Sequence, residues 1–434
     1  LAHRLSRLLV DAGHRVVMIE TLDVPSEPVD LADPRVERRN VSLRPPADGV
    51  RHRWRPVAQW GAVRAAADAI EPARLGVVLD DVAADLAIID VEEYEALISA
   101  LALPHHPQLT VLCSFFEPWP ISGTGPNDGG PPSGSLDRVR GRVEWWALWA
   151  RMRLYGVKQH FVGVGVDRIA VSRALARRLG VRSQLTTRQW VHPFIPADLP
   201  LLLCNAEELD VPHEPRNGVH HIGSLLDPAR PLDELDDRAL AETLAQARRE
   251  GRPIVACAFG AVMAGEPSPL VDRIVDAAEL RPQYEFVVAT ADAHRRRATA
   301  APANLHAVPW LPQREVLAVS AAAIVHSGNA TLHECVAAEV PMIVYPFAVN
   351  DQPRNAARIV RHGIGEVGDR EHDDATTIAT RLDRVMADTE MRKRIEELAE
   401  PITRYEREGV AVAVVESLLP ASDCHVSDDR RTPR

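Results

Sequence analysis

The sequence predicts an α/β protein of two domains, each with a parallel β-sheet covered by helices. Short apolar runs rich in β-branched residues alternate with stretches of helix-forming residues, which is typical of a parallel sheet wrapped by helices. The runs form two series, separated by a charged, proline-bearing segment at residues 227–237 that we interpret as a linker. With 434 residues, 46% of them hydrophobic, the chain can fill two cores.

The first series of apolar runs predicts a sheet within residues 1–226. Its strands are expected at residues 16–19, 86–89, 110–113 and 201–204. Residues 122–135 are rich in glycine, proline and serine and predict a loop, which either lines a substrate pocket or lies on the surface. Trp145, Trp146 and Trp149 follow at helical spacing, which favours a buried or domain-facing helix stripe over an aromatic pocket wall.

The second series predicts a sheet within residues 238–402. Its strands are expected at residues 253–259, 284–290, 304–310, 322–327 and 341–347. Residues 390–419 predict a helix with a kink at Pro401. The polar tail at residues 421–434 is expected to be disordered.

Residues with recognisable chemistry concentrate around the expected strand at 322–327, which ends near His326. Gly328 then turns the chain into a helix predicted over residues 331–339. The N-terminus of that helix would carry unpaired N–H groups and the positive end of the helix dipole, which suit a pyrophosphate. His326 and the hydroxyl of Thr331 could donate to the same phosphate oxygens. Taken alone, His326 would be a satisfied polar residue at a strand end; its neighbours favour phosphate contact.

Other polar and aromatic groups in this stretch suit the remaining parts of a nucleotide sugar. Glu334, one turn into the helix, can accept hydrogen bonds from ribose hydroxyls, and Trp310 offers a face for the base. Asp351 and Gln352 follow the run at 341–347, beyond the carboxyl end of an expected strand, where open α/β sheets bind ligands. These two side chains suit the hydroxyls of a sugar.

The segment from Trp310 to Ala356 resembles the donor-binding signature of GT-B nucleotide-sugar glycosyltransferases of the plant and bacterial UDP-glycosyltransferase type. That signature reads W-x-P-Q, then H-x-G-x-x-T-x-x-E, then D-Q-x-x-N-A. The three elements are matched by Trp310, Pro312 and Gln313, then by His326, Gly328, Thr331 and Glu334, and last by Asp351, Gln352, Asn355 and Ala356. More weakly, Gly260 resembles the first loop of the family's C-terminal domain, where we expect it to contact the donor.

This resemblance implies a GT-B fold, in which two Rossmann-like domains face each other across a cleft. Residues 1–226 would bind the acceptor, and residues 238–402 the nucleotide sugar. Residues 403–420 would form a C-terminal helix that returns to the N-terminal domain. Ala330, Glu339 and Ala261 depart from the residues usual in the family, so we expect donor affinity or preference to differ.

The resemblance does not assign a catalytic base. The family begins with a strand and a Gly-His loop whose histidine deprotonates the acceptor, and Leu1 lies downstream of both. We interpret the sequence as trimmed, since a protein lacking a central strand would expose ladder groups and core side chains. Asp90, at a strand end, is a candidate either to orient such a histidine or to cap the next helix. His105 and His106 lack a comparable context and are interpreted as loop residues.

The activity implied by the resemblance is that of an inverting glycosyltransferase. It would move a hexose from a UDP- or dTDP-sugar to a hydroxyl of a hydrophobic small molecule, with no metal or other cofactor. A nucleotide-sugar epimerase with the same fold and a non-catalytic auxiliary partner of a glycosyltransferase remain as alternatives. The complete donor signature argues against the auxiliary partner, because a protein that only binds a partner does not need it.

The composition excludes several other classes of function. The net charge of -11 argues against nucleic-acid and anionic-membrane binding. No apolar run is long enough to span a bilayer. The five cysteines include no CxxC pair, which favours reduced thiols and a cytoplasmic location.

Overall fold

The structure of the chain, a computed structural model, describes most of the sequence. The described residues are 1–21, 33–43, 56–117, 119, 124–126, 134–162, 167–186, 194–196, 198–259, 269–289, 302–347 and 351–420. Gly260, most of the expected loop at 122–135 and the tail at 421–434 lie outside them. No helix in the described part of the chain is both long and apolar enough to cross a membrane.

The N-terminal part contains parallel strands with helices packed around them. Its strands are β1 (Val17–Glu20), β2 (Glu37–Asn40), β3 (Leu86–Asp90), β4 (Gln108–Cys113), β5 (Leu185–Thr186), β6 (Ile195–Pro196), β7 (Leu201–Leu203) and β8 (Val219–His221). Its helices are α1 (Ala2–Asp11), α2 (Pro56–Ala69), α3 (Pro72–Val82), α4 (Tyr94–Leu101), α5 (Ser135–Val162) and α6 (Arg168–Arg178). Short 3₁₀ turns lie at Arg182–Gln184, Glu207–Leu209 and Leu232–Glu234.

The strands of this part form a four-stranded sheet and two smaller pairs. The parallel sheet has the order β3-β4-β7-β8, while β1 and β2 form a separate parallel pair and β5 and β6 an antiparallel one. The hydroxyl of Thr21, directly after β1, donates to the carboxylate of Glu93 just after β3, at 2.5 Å. The carboxyl ends of β1 and β3 therefore lie close together, although no ladder joins the two strands within the described residues.

The C-terminal part contains one six-stranded parallel sheet. Its strands are β9 (Ile254–Ala258), β10 (Glu285–Ala289), β11 (Leu305–Val308), β12 (Ala322–Val325), β13 (Met342–Val344) and β14 (Gly365–Val367). Its helices are α7 (Arg238–Arg249), α8 (Pro269–Glu279), α9 (Gln313–Leu317), α10 (Asn329–Ala337), α11 (Gln352–His362), α12 (Ala375–Ala387), α13 (Thr389–Arg407) and α14 (Val410–Ser417).

The order of this sheet is β11-β10-β9-β12-β13-β14, the doubly wound order of a Rossmann fold. Apolar cores cover both faces, one including Ala256 and Val325, the other Val255 and Ile324. Burial on both faces explains why these strands appear in the sequence as continuous apolar runs instead of alternating ones. The order of strands reverses between β9 and β12, so a crevice opens at their carboxyl ends.

The C-terminal helix differs from the prediction of one helix with a kink at Pro401. Helix α13 continues through Pro401 to Arg407, and the chain breaks instead at Gly409, whose φ is 64°. Glycine adopts this left-handed conformation at little cost, which ends one helix and redirects the next. The redirected helix α14 packs Ala411 and Val415 into a core that also contains Leu5 of α1.

Candidate donor-binding site

The candidate site lies at the reversal point of the C-terminal sheet. Strands β9 and β12 are parallel neighbours, with Val325 paired to Ala258 at their carboxyl ends. His326 follows β12 directly, and helix α10 begins three residues later. The predicted phosphate-binding residues are therefore at the position where doubly wound sheets bind ligands.

His326 lies over the N-terminus of α10. Its Nδ1 atom is 3.4 Å from the carbonyl oxygen of Ala258, so Nδ1 carries the hydrogen and Nε2 of the neutral ring is an acceptor. Burial lowers the pKa of His326, partly opposed by this hydrogen bond. A Cβ added at Gly328 would lie 2.5 Å from Nε2, so only glycine leaves room for the ring.

The N-terminus of α10 is open to an anion. Gly328 is its N-cap residue, and no side chain caps the first turn. The unpaired N–H groups of that turn and the helix dipole together favour negative charge. His326, Gly328 and the start of α10 thus form one surface suited to phosphate oxygens.

Gln313 connects the next two predicted residues. Its Nε2 donates to Thr331 Oγ1 at 3.1 Å and also to the carboxylate of Glu334. Burial raises the pKa of Glu334 to about 7, although the charge of Arg314 and the bond from Gln313 both lower it. Glu334 is thus held at the side of α10 with a carboxylate that is costly to ionise without a ligand.

Trp310 precedes this cluster and is 73% exposed. An indole so exposed contributes little to the core, and its face is open to a planar partner. Only two residues separate it from Gln313, whose amide contacts Thr331 and Glu334.

Asp351 and Gln352 lie at the start of α11, on the other side of the phosphate turn. Asp351 is the buried N-cap residue of that helix, and its Oδ2 accepts from Asn355 Nδ2 at 2.7 Å. Burial raises the pKa of Asp351, against that hydrogen bond. Gln352 accepts from the N–H of Phe347 through Oε1, at 2.8 Å. That contact fixes the amide orientation and leaves Nε2 as its donor group.

Ser327 joins the phosphate turn to α11 and was not singled out from the sequence. Its hydroxyl lies 3.0 Å from the carbonyl oxygen of Gln352, and its own carbonyl accepts from Asn355 Nδ2 at 3.0 Å. A serine inside a turn carries no sequence signal for such contacts, because they depend on where the following strand and helix return.

The two comparisons with known proteins that gave matches agree with this geometry. Residues 273–412 match the family model of the erythromycin biosynthesis protein CIII-like C-terminal domain. The match lies within the C-terminal part of the chain. A comparison with curated proteins found no match.

Solved structures extend the likeness to nearly the whole chain. The kitacinnamycin glycotransferase matches with a TM-score of 0.64 and 19% identity, over 96% of this chain and 95% of that one. The calicheamicin glycosyltransferase CalG4 matches with a TM-score of 0.62 and 16% identity, over 97% and 95%. The glycosyltransferase VinC, in complex with dTDP, matches with a TM-score of 0.56 and 17% identity, over 96% of each chain.

These matches decide the fold class. The chain has the GT-B fold, with two Rossmann-like domains, as predicted. The resemblance to natural-product GT-B glycosyltransferases, inferred from the signature between Trp310 and Ala356, is confirmed for the fold of the chain, and the family model supports it for residues 273–412. The roles assigned to individual residues stay predictions.

Asp90 lies at the end of β3 and holds the turn that follows. Its Oδ1 accepts from the N–H of Glu92 at 2.8 Å, within the turn before α4, whereas the N-cap residue of α4 is Glu93, so Asp90 does not cap that helix. Burial raises the pKa of Asp90, and burial followed by the charge of Asp90 raises that of Glu92, with a smaller contribution from Asp351. These carboxylates of the N-terminal domain therefore lie near the expected sugar-binding end of the site.

The three tryptophans of α5 do not share one environment. Trp145 is buried and donates Nε1 to the carbonyl of Thr124 at 2.8 Å, and its ring centroid lies 5.8 Å from that of Trp149. Trp146 is 69% exposed. The stripe prediction thus describes Trp145 and Trp149, while Trp146 points away from them.

Two further sequence predictions concern histidines and metals. His105 and His106 are exposed and lie before the start of β4, at the edge of the sheet opposite to the cleft. Within the described residues, no three His, Cys, Asp or Glu side chains are grouped so that they could hold a metal ion.

Proposed function

We propose that this protein is an inverting glycosyltransferase that moves a hexose from a nucleoside diphosphate sugar to a hydroxyl of a hydrophobic small molecule. The observation that carries the proposal is the arrangement around α10. An exposed indole lies three residues before Gln313, which contacts the ribose-type acceptor Glu334 on the helix with the open N-terminus. A carboxylate-amide pair lies at the start of α11, which the Ser327 hydroxyl connects to the turn before α10. That order matches base, ribose, pyrophosphate and sugar along one ligand.

Each group has one part in binding the donor. Trp310 stacks on the base and Glu334 accepts from the ribose hydroxyls, with Gln313 orienting it. The first turn of α10, His326 and Thr331 bind the pyrophosphate. Asp351 and Gln352 bind the sugar hydroxyls from the start of α11.

The proposed reaction is a single displacement at the anomeric carbon. The acceptor hydroxyl loses its proton to a general base, and its oxygen forms a bond to that carbon while the bond from the carbon to the phosphate oxygen breaks, which inverts the configuration. The leaving nucleoside diphosphate gains negative charge, which the α10 dipole and a protonated His326 stabilise. Alignment of donor and acceptor in the cleft supplies much of the remaining acceleration. No described residue is assigned as the base.

The proposed nucleotide of the donor rests on the resemblance and on one related structure. VinC was solved with dTDP, which supports a nucleoside diphosphate donor and makes dTDP the first nucleotide to test beside UDP. The proposed domain limits are residues 1–226 for the acceptor and 238–402 for the donor. The cytoplasmic location expected from the cysteine content stays a prediction.

Isothermal calorimetry with UDP, dTDP and their glucose conjugates tests the donor site. The wild-type protein should bind one nucleotide class, and His326→Ala should weaken that binding at least about tenfold, since a hydrogen bond to a charged group is lost. His106→Ala, which changes an exposed loop histidine, is the matched control and should bind normally.

Magnetic resonance of a slow donor hydrolysis tests the reaction type without a known acceptor. An inverting enzyme releases the β-sugar first from an α-linked donor. Release of the α-sugar would contradict inversion, and conversion of the donor into an epimer would favour the epimerase alternative. A folded wild-type chain that binds no nucleotide would overturn the proposal in favour of an auxiliary partner.

A further inference from the structure

Ser327 has a backbone conformation that serine rarely adopts. Its φ is 61°, in the left-handed region, and the residue is 0% exposed. A side chain with a Cβ is strained there, whereas glycine is not. If only the backbone mattered, glycine would suit this position better, so the serine side chain must compensate through its contacts.

Those contacts connect the phosphate turn to α11, with Ser327 as the donor in one and as the acceptor in another. The Ser327 hydroxyl lies 2.6 Å from the carbonyl oxygen of His326 and 3.0 Å from that of Gln352, so its single hydrogen is shared between them. In the other direction, Asn355 Nδ2 donates to the Ser327 carbonyl at 3.0 Å. Asn355 Nδ2 also donates to Asp351 Oδ2 at 2.7 Å. Ser327 thus fixes the phosphate turn to the first turn of α11.

The two turns hold different parts of the expected donor. The turn from His326 to Gly328 contacts the pyrophosphate, and Asp351 and Gln352 contact the sugar. One C–O bond joins the sugar to its phosphate, so the two subsites must keep a fixed distance to bind both parts at once. A displacement of about 1 Å between them is enough to cost a large factor in rate.

We propose that Ser327 is a positioning residue that sets the distance between the phosphate and sugar subsites. This inference rests on the proposed function and adds to it. It predicts that the hydroxyl matters for ligands that occupy both subsites, and matters little for a nucleotide that occupies only the phosphate side.

Two substitutions separate this role from a general effect on folding. Ser327→Gly removes the hydroxyl and also relieves the backbone strain, so its thermal unfolding midpoint should equal or exceed that of the wild type. Ser327→Ala removes the hydroxyl but keeps the strain, so its midpoint should be lower. Ser320→Ala is the matched control, because the Ser320 hydroxyl donates to the Val316 carbonyl at 2.7 Å before β12, at the opposite edge of the sheet.

The measurement is calorimetric binding of dTDP and dTDP-glucose, and of UDP and UDP-glucose, to each variant. Both Ser327 variants should bind the nucleotide within about twofold of wild type and the nucleotide sugar about tenfold more weakly. The same ratio should appear in the KM for the donor in the hydrolysis reaction, with a further loss in kcat. Ser320→Ala should change neither ratio.

The outcomes distinguish this inference from the proposed function. If the wild type binds a nucleotide sugar and Ser327→Gly keeps the wild-type ratio of the two affinities, Ser327 has no positioning role. Equal weakening of both ligands also overturns the inference, since it would indicate a role in the phosphate turn alone. If the wild type binds neither ligand, the donor site itself is wrong, and the inference fails with it.

Discussion

Glu334 shows how a proposed binding residue can oppose stability in the free protein. Burial raises its pKa from 4.5 to about 7, although Arg314 and Gln313 act in the opposite direction. A carboxyl whose pKa is raised on folding contributes stability below its unfolded pKa and loses that contribution as pH rises through the folded pKa. Above neutral pH the free protein therefore carries a buried carboxylate that lacks the hydroxyl donors of its proposed ligand.

Glu334→Gln should stabilise the free protein and weaken its donor binding. Above pH 7 the raised pKa corresponds to a cost of up to about 3 kcal/mol, which the neutral amide avoids. Loss of a charged acceptor for ribose hydroxyls should weaken nucleotide binding about tenfold. Urea unfolding of both proteins at about pH 5.5 and about pH 8 measures the first effect. A stability difference that is the same at both values would contradict the assigned cause.

His326 should take up a proton when the donor binds. In the free protein its Nδ1–H points to the Ala258 carbonyl, and the neutral Nε2 above Gly328 has no hydrogen to donate to a phosphate. A bound pyrophosphate favours the charged ring and raises the pKa of His326, which burial lowers in the free protein, so affinity should fall as pH rises from the pKa of the free protein through that of the complex.

Calorimetry of a nucleotide sugar in buffers of different ionisation enthalpy measures this uptake directly. A nucleotide sugar is preferable to a free nucleotide, because its pyrophosphate does not titrate near neutral pH. We expect uptake of up to about one proton per donor near pH 7.5 in the wild type and none in His326→Ala. Equal uptake by both proteins would place the proton elsewhere.

At the residue scale, the sequence predicted the candidate binding residues but not the residues that hold them in place. His326, Gly328, Thr331, Glu334, Asp351 and Gln352 follow β12 and β13 or lie in the helices that begin there, and their role in binding stays a prediction. The contacts of Ser327 could not be predicted, because they depend on φ at one turn and on the return of a helix 25 residues later. Local sequence does not encode such distances.

At the scale of elements, helices α10 and α11 serve two purposes. Their N-termini form the proposed donor site, and residues of both helices contact the N-terminal domain. Asn329 Nδ2 donates to the Ser114 carbonyl at 2.7 Å, and His333 Nε2 accepts from the Ala206 N–H at 3.3 Å. A shift of α10 on donor binding would therefore also act on the loops that follow β4 and β7.

Gly328→Ala tests how α10 depends on its first turn. The φ of Gly328 is -66°, which alanine adopts freely, so the substitution should leave the unfolding midpoint within a few degrees of wild type. Its Cβ would nevertheless lie 2.5 Å from His326 Nε2 and must displace the ring. We expect nucleotide affinity to fall at least about tenfold by calorimetry.

Gly61→Ala is the control for that substitution. Gly61 lies in α2, and an added Cβ there meets no atom within 4 Å. This variant should bind the nucleotide normally. Normal binding by Gly328→Ala would mean that the ring of His326 is not held against the turn as the structure shows.

The boundaries of buried elements could be predicted from the sequence, whereas those of exposed elements were missed. Strands β9 to β13 lie within the expected apolar runs because both faces of their sheet are covered. Strand β2, with the sequence ERRN, is mostly exposed and carries no apolar pattern from which it could be predicted. The break at Gly409 was missed because Pro401 is the stronger helix breaker by composition, yet a helix can continue past a proline when packing supports it.

At the scale of the whole molecule, buried charges join the two domains. Arg358 of α11 donates to Asp210 Oδ1 at 2.5 and 3.1 Å, and its guanidinium lies 4.0 Å from the ring centroid of Phe116. Burial alone would raise the pKa of Asp210, but the charges of Arg358 and Arg354 outweigh it and lower the pKa to about 2. Nearby, Glu117 is buried between His213 and Arg216.

These groups predict that the free protein is most stable at mildly acidic pH. Asp210 stabilises the fold above its ordinary pKa of 3.8 and loses that contribution as pH falls toward 2. The hydrogen bond to Glu117 raises the pKa of His213 from 6.5 to about 9, so its contribution is complete below 6.5 and is lost as pH rises through 9. The contribution of Glu334 is lost between 4.5 and about 7.

Urea unfolding across about pH 4 to about pH 9 should therefore give a free energy that is highest near pH 5 and falls on both sides. Both of these groups act on the alkaline side of the maximum. Glu334→Gln should flatten the part of the decline below pH 7, and His213→Gln the part above pH 6.5, so the two contributions can be assigned separately. A free energy that rises steadily from pH 5 to pH 9 would show that other groups outweigh these two.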